Sequence, residues 1–383
     1  MKRKFKISIS FVLILFSFTG LMIFTRILNP INSRNNLIWS YKADNDVYSV
    51  AISSDGSYII AGTCTNYYYF SNSKPKPLWS YEMEDVPYSI DLVISQDGSY
   101  AAGAFFKTIS MFSNTNSIAL WNFTANSTFY SIDMSLDGSY IVATVNRNMY
   151  LFSKSSNVPL WKLSSGSPFY SSAISSNGSY IAVVDSNNLY FFSKSSNQFL
   201  WNYPIKTNGI GGKCIAMSPD ARYIGLIHRQ FDGTHTDSFL YLFKTTNSAP
   251  IWFKKFNDEY LSSIAISFNG SYIAVTGLGN TLYFFSKFTN KPLWTFPLKW
   301  ELSTLSMSYN GSYLAVASAY APIYIPENPP PPSKGVVYLF HKDDPNPKWF
   351  YDINAYIPTI AISSNGRYII IGASDDKIYV FQR

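Results

Sequence analysis

The 383-residue sequence predicts an all-β protein: an eight-bladed β-propeller of four-stranded antiparallel blades, preceded by one N-terminal transmembrane helix. Three observations predict it: an internal repeat of about forty residues, a strand-and-turn reading of each repeat unit, and an apolar leader. Composition narrows the field first. With 47% hydrophobic, 18% aromatic and 14% charged residues, the chain can bury a core and is not disordered. Cys64 and Cys214 are the two cysteines and lie far apart, which excludes a disulfide scaffold. The formal charge of +7 comes mainly from Lys2, Arg3, Lys4, Lys6, Arg26 and Arg34, which have no acid among them. The rest is nearly neutral and carries no electrostatic footprint for nucleic acid.

Residues 1–6 read as a cytoplasmic basic segment and residues 7–25 as a transmembrane signal anchor. The uncharged run from Ile7 to Phe24 would rise about 27 Å as a helix, against a hydrocarbon core of roughly 30 Å. A secretory leader has a shorter apolar region, about 7–15 residues, and a small-x-small cleavage site. No such site and no lipobox cysteine occur between Thr19 and Asn32, so an uncleaved anchor is expected, with secretion after cleavage as the alternative. The basic cluster keeps the N-terminus in the cytoplasm and directs the remainder of the chain across the membrane. Residues 26–36 are a linker and residues 37–383 the propeller.

The string Ser-x-(Asp/Asn)-Gly-Ser-Tyr recurs from Ser53, Ser95, Ser135, Ser175, Ser267 and Ser308, with looser copies from Ser218 and Ser363. All eight keep a tyrosine: Tyr58, Tyr100, Tyr140, Tyr180, Tyr223, Tyr272, Tyr313 and Tyr368. A second signature places tryptophan at Trp39, Trp79, Trp121, Trp161, Trp201, Trp252, Trp294 and Trp349. In the first unit, Tyr48–Ser53 is a strand buried on both faces. Asp55-Gly56 supplies the positive φ angles of a tight hairpin. Tyr58–Gly62, Tyr67–Phe70 and Leu78–Tyr81 are the second, third and fourth strands. No segment after residue 34 has the period of an amphipathic helix. Four strands per forty residues is the pattern of a propeller blade.

The stretch VAISSDGSYIIAG (Val50–Gly62) resembles the inner strands of a WD40 blade, and YFFSKSSNQFLWNY (Tyr190–Tyr203) is similar to the outer strands of quinoprotein-like (PQQ-like) repeats. The resemblance implies a propeller over residues 37–383. The Gly-His and Trp-Asp dipeptides of WD40 blades are absent, and phenylalanine usually stands where that tryptophan would be. The array opens on a lone tryptophan strand, Leu37–Tyr41, and closes at Arg383 after a third strand. Pairing the first strand into the last blade closes the ring and removes both exposed edges. Seven blades would leave one set of strands unpaired.

Successive connections alternate between two faces. One carries the Asp/Asn-Gly turns and the loops before each tryptophan strand, with Lys74, Lys76, Lys154, Lys194, Lys244, Lys287, Lys291, Lys342 and Lys348 against Asp343 and Asp344. The chain enters there, so this face is expected to look toward the membrane. A weak attraction to anionic head groups or anionic wall polymer is one reading; lysines that confer solubility and blunt strand edges are the preferred one. The opposite face carries the irregularities: a ten-residue loop in blade 5, His228–Asp237, and a longer one in blade 7, Ala319–Lys334, with prolines from Pro329 to Pro332. Insertions in a regular array map to functional faces, and proline runs order at low cost on binding. His228, Arg229, Phe231, Asp232, His235, Tyr320, Tyr324, Glu327, Pro329 and Pro330 are therefore the candidate partner-binding residues. Acids including Asp44, Asp46 and Glu259, offset by Lys42, Lys254, Lys255 and Lys299, make that face mildly acidic at most.

Chemistry is sparse. His228, His235 and Asp237 have spacings a metal tolerates, yet three donors on one loop without Cys partners are a weak signal, so no metal is expected. No nucleophile elbow, phosphate loop or paired-cysteine motif occurs. Tyr, Ser and Ala dominate the channel-lining strands, so no convergent carboxylate set is expected. The tryptophans read as packing between blades, each burying on the order of 150–250 Å², and the repeated tyrosines as caps on the turns. Asn122, Asn126, Asn177, Asn269 and Asn310 head Asn-x-Ser/Thr sequons, possible N-glycosylation sites, three of them simply turn sequences. The expected function is a non-catalytic protein-binding or assembly scaffold with no cofactor and an unknown protein partner. The alternative is a propeller enzyme, quinoprotein-like or hydrolase-like, with a site in the central channel.

Overall fold

A computed structural model describes residues 36–83, 90–205, 214–231, 233–321 and 332–383. The leader assigned to residues 1–35 lies outside the described residues; among those described, no helix is long and apolar enough to cross a membrane. Eight four-stranded antiparallel sheets succeed one another along the chain. Blade 1 spans Ser49–Ile52, Tyr58–Gly62, Asn66–Ser71 and Pro77–Glu82, and each later blade repeats the order inner to outer. Blade 8 takes three strands from the C-terminal end, Thr359–Ile362, Tyr368–Ala373 and Lys377–Gln382, and its fourth, Leu37–Lys42, from the other end of the array. Trp39 opposes Val380 and Tyr41 opposes Ile378, so the lone leading strand closes the ring.

Each copy of the turn motif explains its own residues. In blade 1 the Gly56 N–H donates to the Ser53 carbonyl at 3.0 Å, and only Gly56 takes a positive φ, +83°. The expected hairpin with positive φ at both central residues is therefore replaced by a four-residue turn with Asp55 in ordinary conformation. Asp55 instead accepts hydrogen bonds from the Ser53 hydroxyl (2.8 Å) and the Ser57 N–H (2.9 Å), while the Ser53 hydroxyl accepts from the Tyr58 N–H (3.0 Å). Asn177 and Asn310 do the same work in their turns, since only the side-chain carbonyl oxygen is needed.

The core lies between blades. Every fourth-strand tryptophan packs on a third-strand phenylalanine of the next blade. Trp121 lies 5.5 Å from Phe152, Trp161 6.0 Å from Phe192, and Trp349 of blade 7 5.6 Å from Phe381. Trp39 of blade 8 meets Phe70 of blade 1 at 5.7 Å, across the closure. Seven of the tryptophans also donate Nε1–H to a backbone carbonyl in that next blade, from Trp39 to Asn72 (2.8 Å) to Trp294 to Lys342 (2.8 Å). The phenylalanine standing at the WD40 tryptophan position is thus the other half of a ring-wide seam.

A second seam runs around the turn face. At seven of the eight blade junctions the tyrosine after the turn lies on the glycine of the next blade's turn, as Tyr313 on Gly366 and, across the closure, Tyr368 on Gly56; the blade 5 turn has Ala221 in that place. The residue before each Asp/Asn links to its counterpart: Ser54 N–H to Gln96 carbonyl, Gln96 to Leu136, Leu136 to Ser176, Ser176 to Pro219. Pro219 has no N–H, so Asp220 donates onward to Phe268. The Ser364 and Ser54 hydroxyls meet at 2.9 Å to complete the collar.

Candidate functional site

The face opposite the turns is built from connections into each inner strand, tied to second-to-third-strand turns by main-chain bonds such as Met83 to Thr65 and Ala125 to Lys107. Its irregularities differ from expectation in blade 5. There the second and third strands, Tyr223–Phe231 and Thr236–Lys244, each run nine residues and pair to the tip. His228 opposes Phe239, Arg229 opposes Ser238, and Phe231 opposes Thr236. The expected ten-residue loop is therefore a ladder that absorbs its own backbone groups, leaving residues 232–235 as the connection.

This placement separates the candidate residues. His228 is buried and stacks on Phe239 with ring centroids 5.3 Å apart. Arg229 is buried too, its guanidinium 3.9 Å over the Tyr260 ring; burial pulls its pKa below the ordinary guanidinium value, with Tyr260 opposing that shift. Neither is an exposed loop residue. Phe231 at the hairpin end is 48% exposed. His235 Nδ1 lies 3.3 Å from an Asp258 carboxylate oxygen, and Lys255 pairs with Asp237 at 2.7 Å. His235 and Asp237 thus share a neighbour, Asp258, whose N–H donates to Asp237 at 3.0 Å, whereas His228 stacks within the sheet.

In blade 7 the second strand runs from Tyr313 to Tyr320 and the third resumes at Lys334. Tyr320 is 38% exposed and its ring lies 5.7 Å from Trp300, on the connection arriving from blade 6. The Ser318 hydroxyl accepts the Trp300 N–H (2.8 Å) and donates to the Trp300 carbonyl (3.1 Å), which fixes the pair. Asp232, Tyr324, Glu327, Pro329 and Pro330 lie outside the described residues. Trp300 was not among the sequence candidates; the available signal was that it is the one tryptophan outside the fourth-strand register.

The acids of this face are largely used by the fold. Asp44 accepts from Thr63 (2.9 Å), Thr65, Asn66 (2.7 Å) and Tyr68 (2.8 Å). Burial pushes its pKa up, but these donors together hold it below the usual carboxylate value. Asp46 is raised, by burial and by the neighbouring carboxylates Asp376 and Asp375. Glu259 accepts from the Tyr283 hydroxyl at 2.7 Å. On the innermost strands, two carboxylates escaped the Tyr, Ser and Ala reading. Asp91 accepts the Ile132 N–H and Asp133 the Ile174 N–H, both at 2.9 Å and both from the next blade. Asn122 lies on the outer strand of blade 2, Asn126 on the connection to blade 3, and Asn177, Asn269 and Asn310 in turns; all five are exposed.

The turn-face lysines are also partly engaged. Lys154 lies over the Tyr100 ring (4.4 Å), Lys194 over Tyr140 (4.2 Å), Lys287 over Tyr223 (4.8 Å), and Arg383 over Tyr313 (4.1 Å). Each cation reaches back to the tyrosine of the preceding blade, so these residues clamp blades as well as solubilise a loop.

Residues 35–66 match the family model described as WD domain, G-beta repeat. No curated protein matches the chain in sequence. Among solved structures, the chain is similar to the crystal structure of the C-terminal WD40 domain of Sif2, at 12% identity and a TM-score of 0.67. The match covers 89% of this chain and 97% of that one. At that identity the likeness is one of fold.

Proposed function

We propose that this WD40-like propeller is a membrane-anchored, extracytoplasmic and non-catalytic scaffold that binds protein partners through the face bearing the blade 5 hairpin and the blade 7 insertion. One observation carries the reading: two elongated strand pairs rise from that face and end in exposed aromatic residues, Phe231 and Tyr320. Tyr320 packs on Trp300, and two residues before Phe231 on the same strand the Arg229 guanidinium lies over the Tyr260 ring. Exposed aromatics on rigid supports bind at low entropic cost. Asp91 and Asp133 hold main-chain N–H groups of neighbouring blades, which supports a structural use of the channel carboxylates and a non-catalytic role. The tether rests on the basic cluster and apolar run of residues 1–25.

A photo-crosslinking residue at position 231 or 320 of the full-length chain, in intact cells, is expected to capture a discrete protein adduct. The same residue at position 118, on the turn face, is expected to capture none. Identical adduct patterns from all three positions would remove the assignment.

A further inference from the structure

The turn face has a surface composition its packing role does not explain. Phe288, Ile118 and Val158 are the three most exposed large apolar residues among those described, at 83%, 75% and 69%. All three lie in loops before a tryptophan strand, and Ile118 and Val158 occupy the same position, three residues before Trp121 and Trp161. In blades 1 and 6 that position holds Lys76 and Lys291, both exposed. In blades 4, 5, 7 and 8 it holds Gln198, Ala249, Asn346 and Asn36. Highly exposed apolar tips set among lysines on one face compose an interfacial surface: apolar tips to enter the headgroup layer, cations to meet its phosphates. A purely soluble rim gains nothing from valine or isoleucine there.

The charge is polarised as well. Asp55, Asp97 and Asp137 lie in blades 1 to 3, whereas the turns of blades 4, 6, 7 and 8 carry asparagine: Asn177, Asn269, Asn310 and Asn365. Within blades 4 to 8, Lys342, Lys348 and Arg222 have neighbouring carboxylates at Asp343, Asp344 and Asp220. Lys194, Lys244, Lys287 and Lys291 have no carboxylate partner among the described residues. Lys194 and Lys287 are seated over tyrosine rings, an arrangement suited to headgroup depth.

We propose that the turn face is a docking surface for a bilayer containing anionic lipid, with Ile118, Val158 and Phe288 at the headgroup boundary and the lysines of blades 4 to 6 that have no carboxylate partner among the described residues facing lipid phosphates. This surface is distinct from the protein-binding face and uses loops of the propeller itself, so it stands or falls separately from the apolar leader.

The test uses the full-length chain in nanodiscs. A bimane label is placed at position 288, 158 or 231 in a Cys64→Ser background, Cys214 being buried. With 30% phosphatidylglycerol (about a third of the lipid) and a headgroup nitroxide quencher, labels at 288 and 158 are expected to be quenched and the label at 231 not. Reversing Lys244 and Lys291 to Glu is expected to weaken that quenching, as is high salt, each lysine contributing about five-fold to surface binding. Equal quenching at all three positions, or none at 288 and 158, overturns the proposal. So does quenching equally strong in neutral lipid. A chain that stays in the membrane fraction while labels 288 and 158 remain unquenched retains its tether and loses only this surface. Binding of soluble anionic polymer without these quenching differences also counts against a lipid partner.

Discussion

Replacing Trp39 tests the ring closure directly. This residue stands on a strand that joins blade 8 from the far end of the array, yet it is buried, 5.7 Å from Phe70 and bonded to the Asn72 carbonyl at 2.8 Å. Trp39→Ala removes both contacts and leaves a void, a cost of about 3–5 kcal/mol. Trp39→Phe keeps most of the ring and loses the hydrogen bond, a cost of about 1 kcal/mol. The internal control is Trp161→Ala, whose residue makes the same two contacts with Phe192 and the Lys194 carbonyl in mid-array. Urea unfolding of the full-length chain in detergent, followed by circular dichroism, should give the two alanine variants similar losses. Hydrogen exchange should find the amides of Leu37–Lys42 as protected as those of other outer strands. A Trp39→Ala loss below about 0.5 kcal/mol, the usual level for an exposed side chain, would refute closure. Loop-like exchange of that strand would refute it equally.

Further outcomes rest on the same geometry. Gly366→Ala would place a Cβ 2.7 Å from the Tyr313 ring at φ +66°, whereas Gly233 has positive φ with open space around it. Gly366→Ala should therefore lose at least about 1 kcal/mol more than Gly233→Ala, since both share the backbone strain and only one clashes; equal losses would unseat the tyrosine-on-glycine contact. In Asp55, Asp97 and Asp137, burial pushes the pKa up, but serine hydroxyl and N–H donors outweigh it and hold each below the ordinary carboxylate value. A depressed folded-state pKa gives stability present above the unfolded value and lost as pH falls through the folded one. Changing all three to Asn should flatten the loss of stability below about pH 4; unchanged acid unfolding would contradict it. Burial pushes the Cys214 thiol up to about 12, with Arg229 and Ser171 opposing, so maleimide at pH 8 should modify one cysteine natively and two in denaturant. Mass spectrometry reads the difference, and rapid native modification of Cys214 would show that its site opens.

Much of the ring was legible because its signals are local and repeated. Ser-x-Asp-Gly-Ser-Tyr is a self-contained turn whose bonds span at most five residues, so eight copies announced eight hairpins. The candidate face was less legible. His228 and Arg229 look like loop residues because their segment, HRQFDGTHTD, is polar throughout except for Phe231 and lacks the alternation of a half-buried strand. Asp232-Gly233 is the hairpin signal within it, and the pairing to Phe239 and Ser238 is what buries the two residues. Trp300 escaped notice because nothing in its neighbourhood foretells Tyr320, twenty residues away.

The sequence by itself determined the number of blades, the turn that starts each one, and the need for the first strand to complete the last sheet. Periodicity and unpaired edges suffice for those, since both can be counted along a chain. Tertiary structure alone decided what each repeated side chain does. Trp161 donates to a carbonyl 33 residues ahead, Lys194 lies over a tyrosine 54 residues behind, and Tyr368 rests on Gly56 at the other end of the array. Those partners are set by the wedge between neighbouring blades, which exists only after the sheets have stacked around the axis.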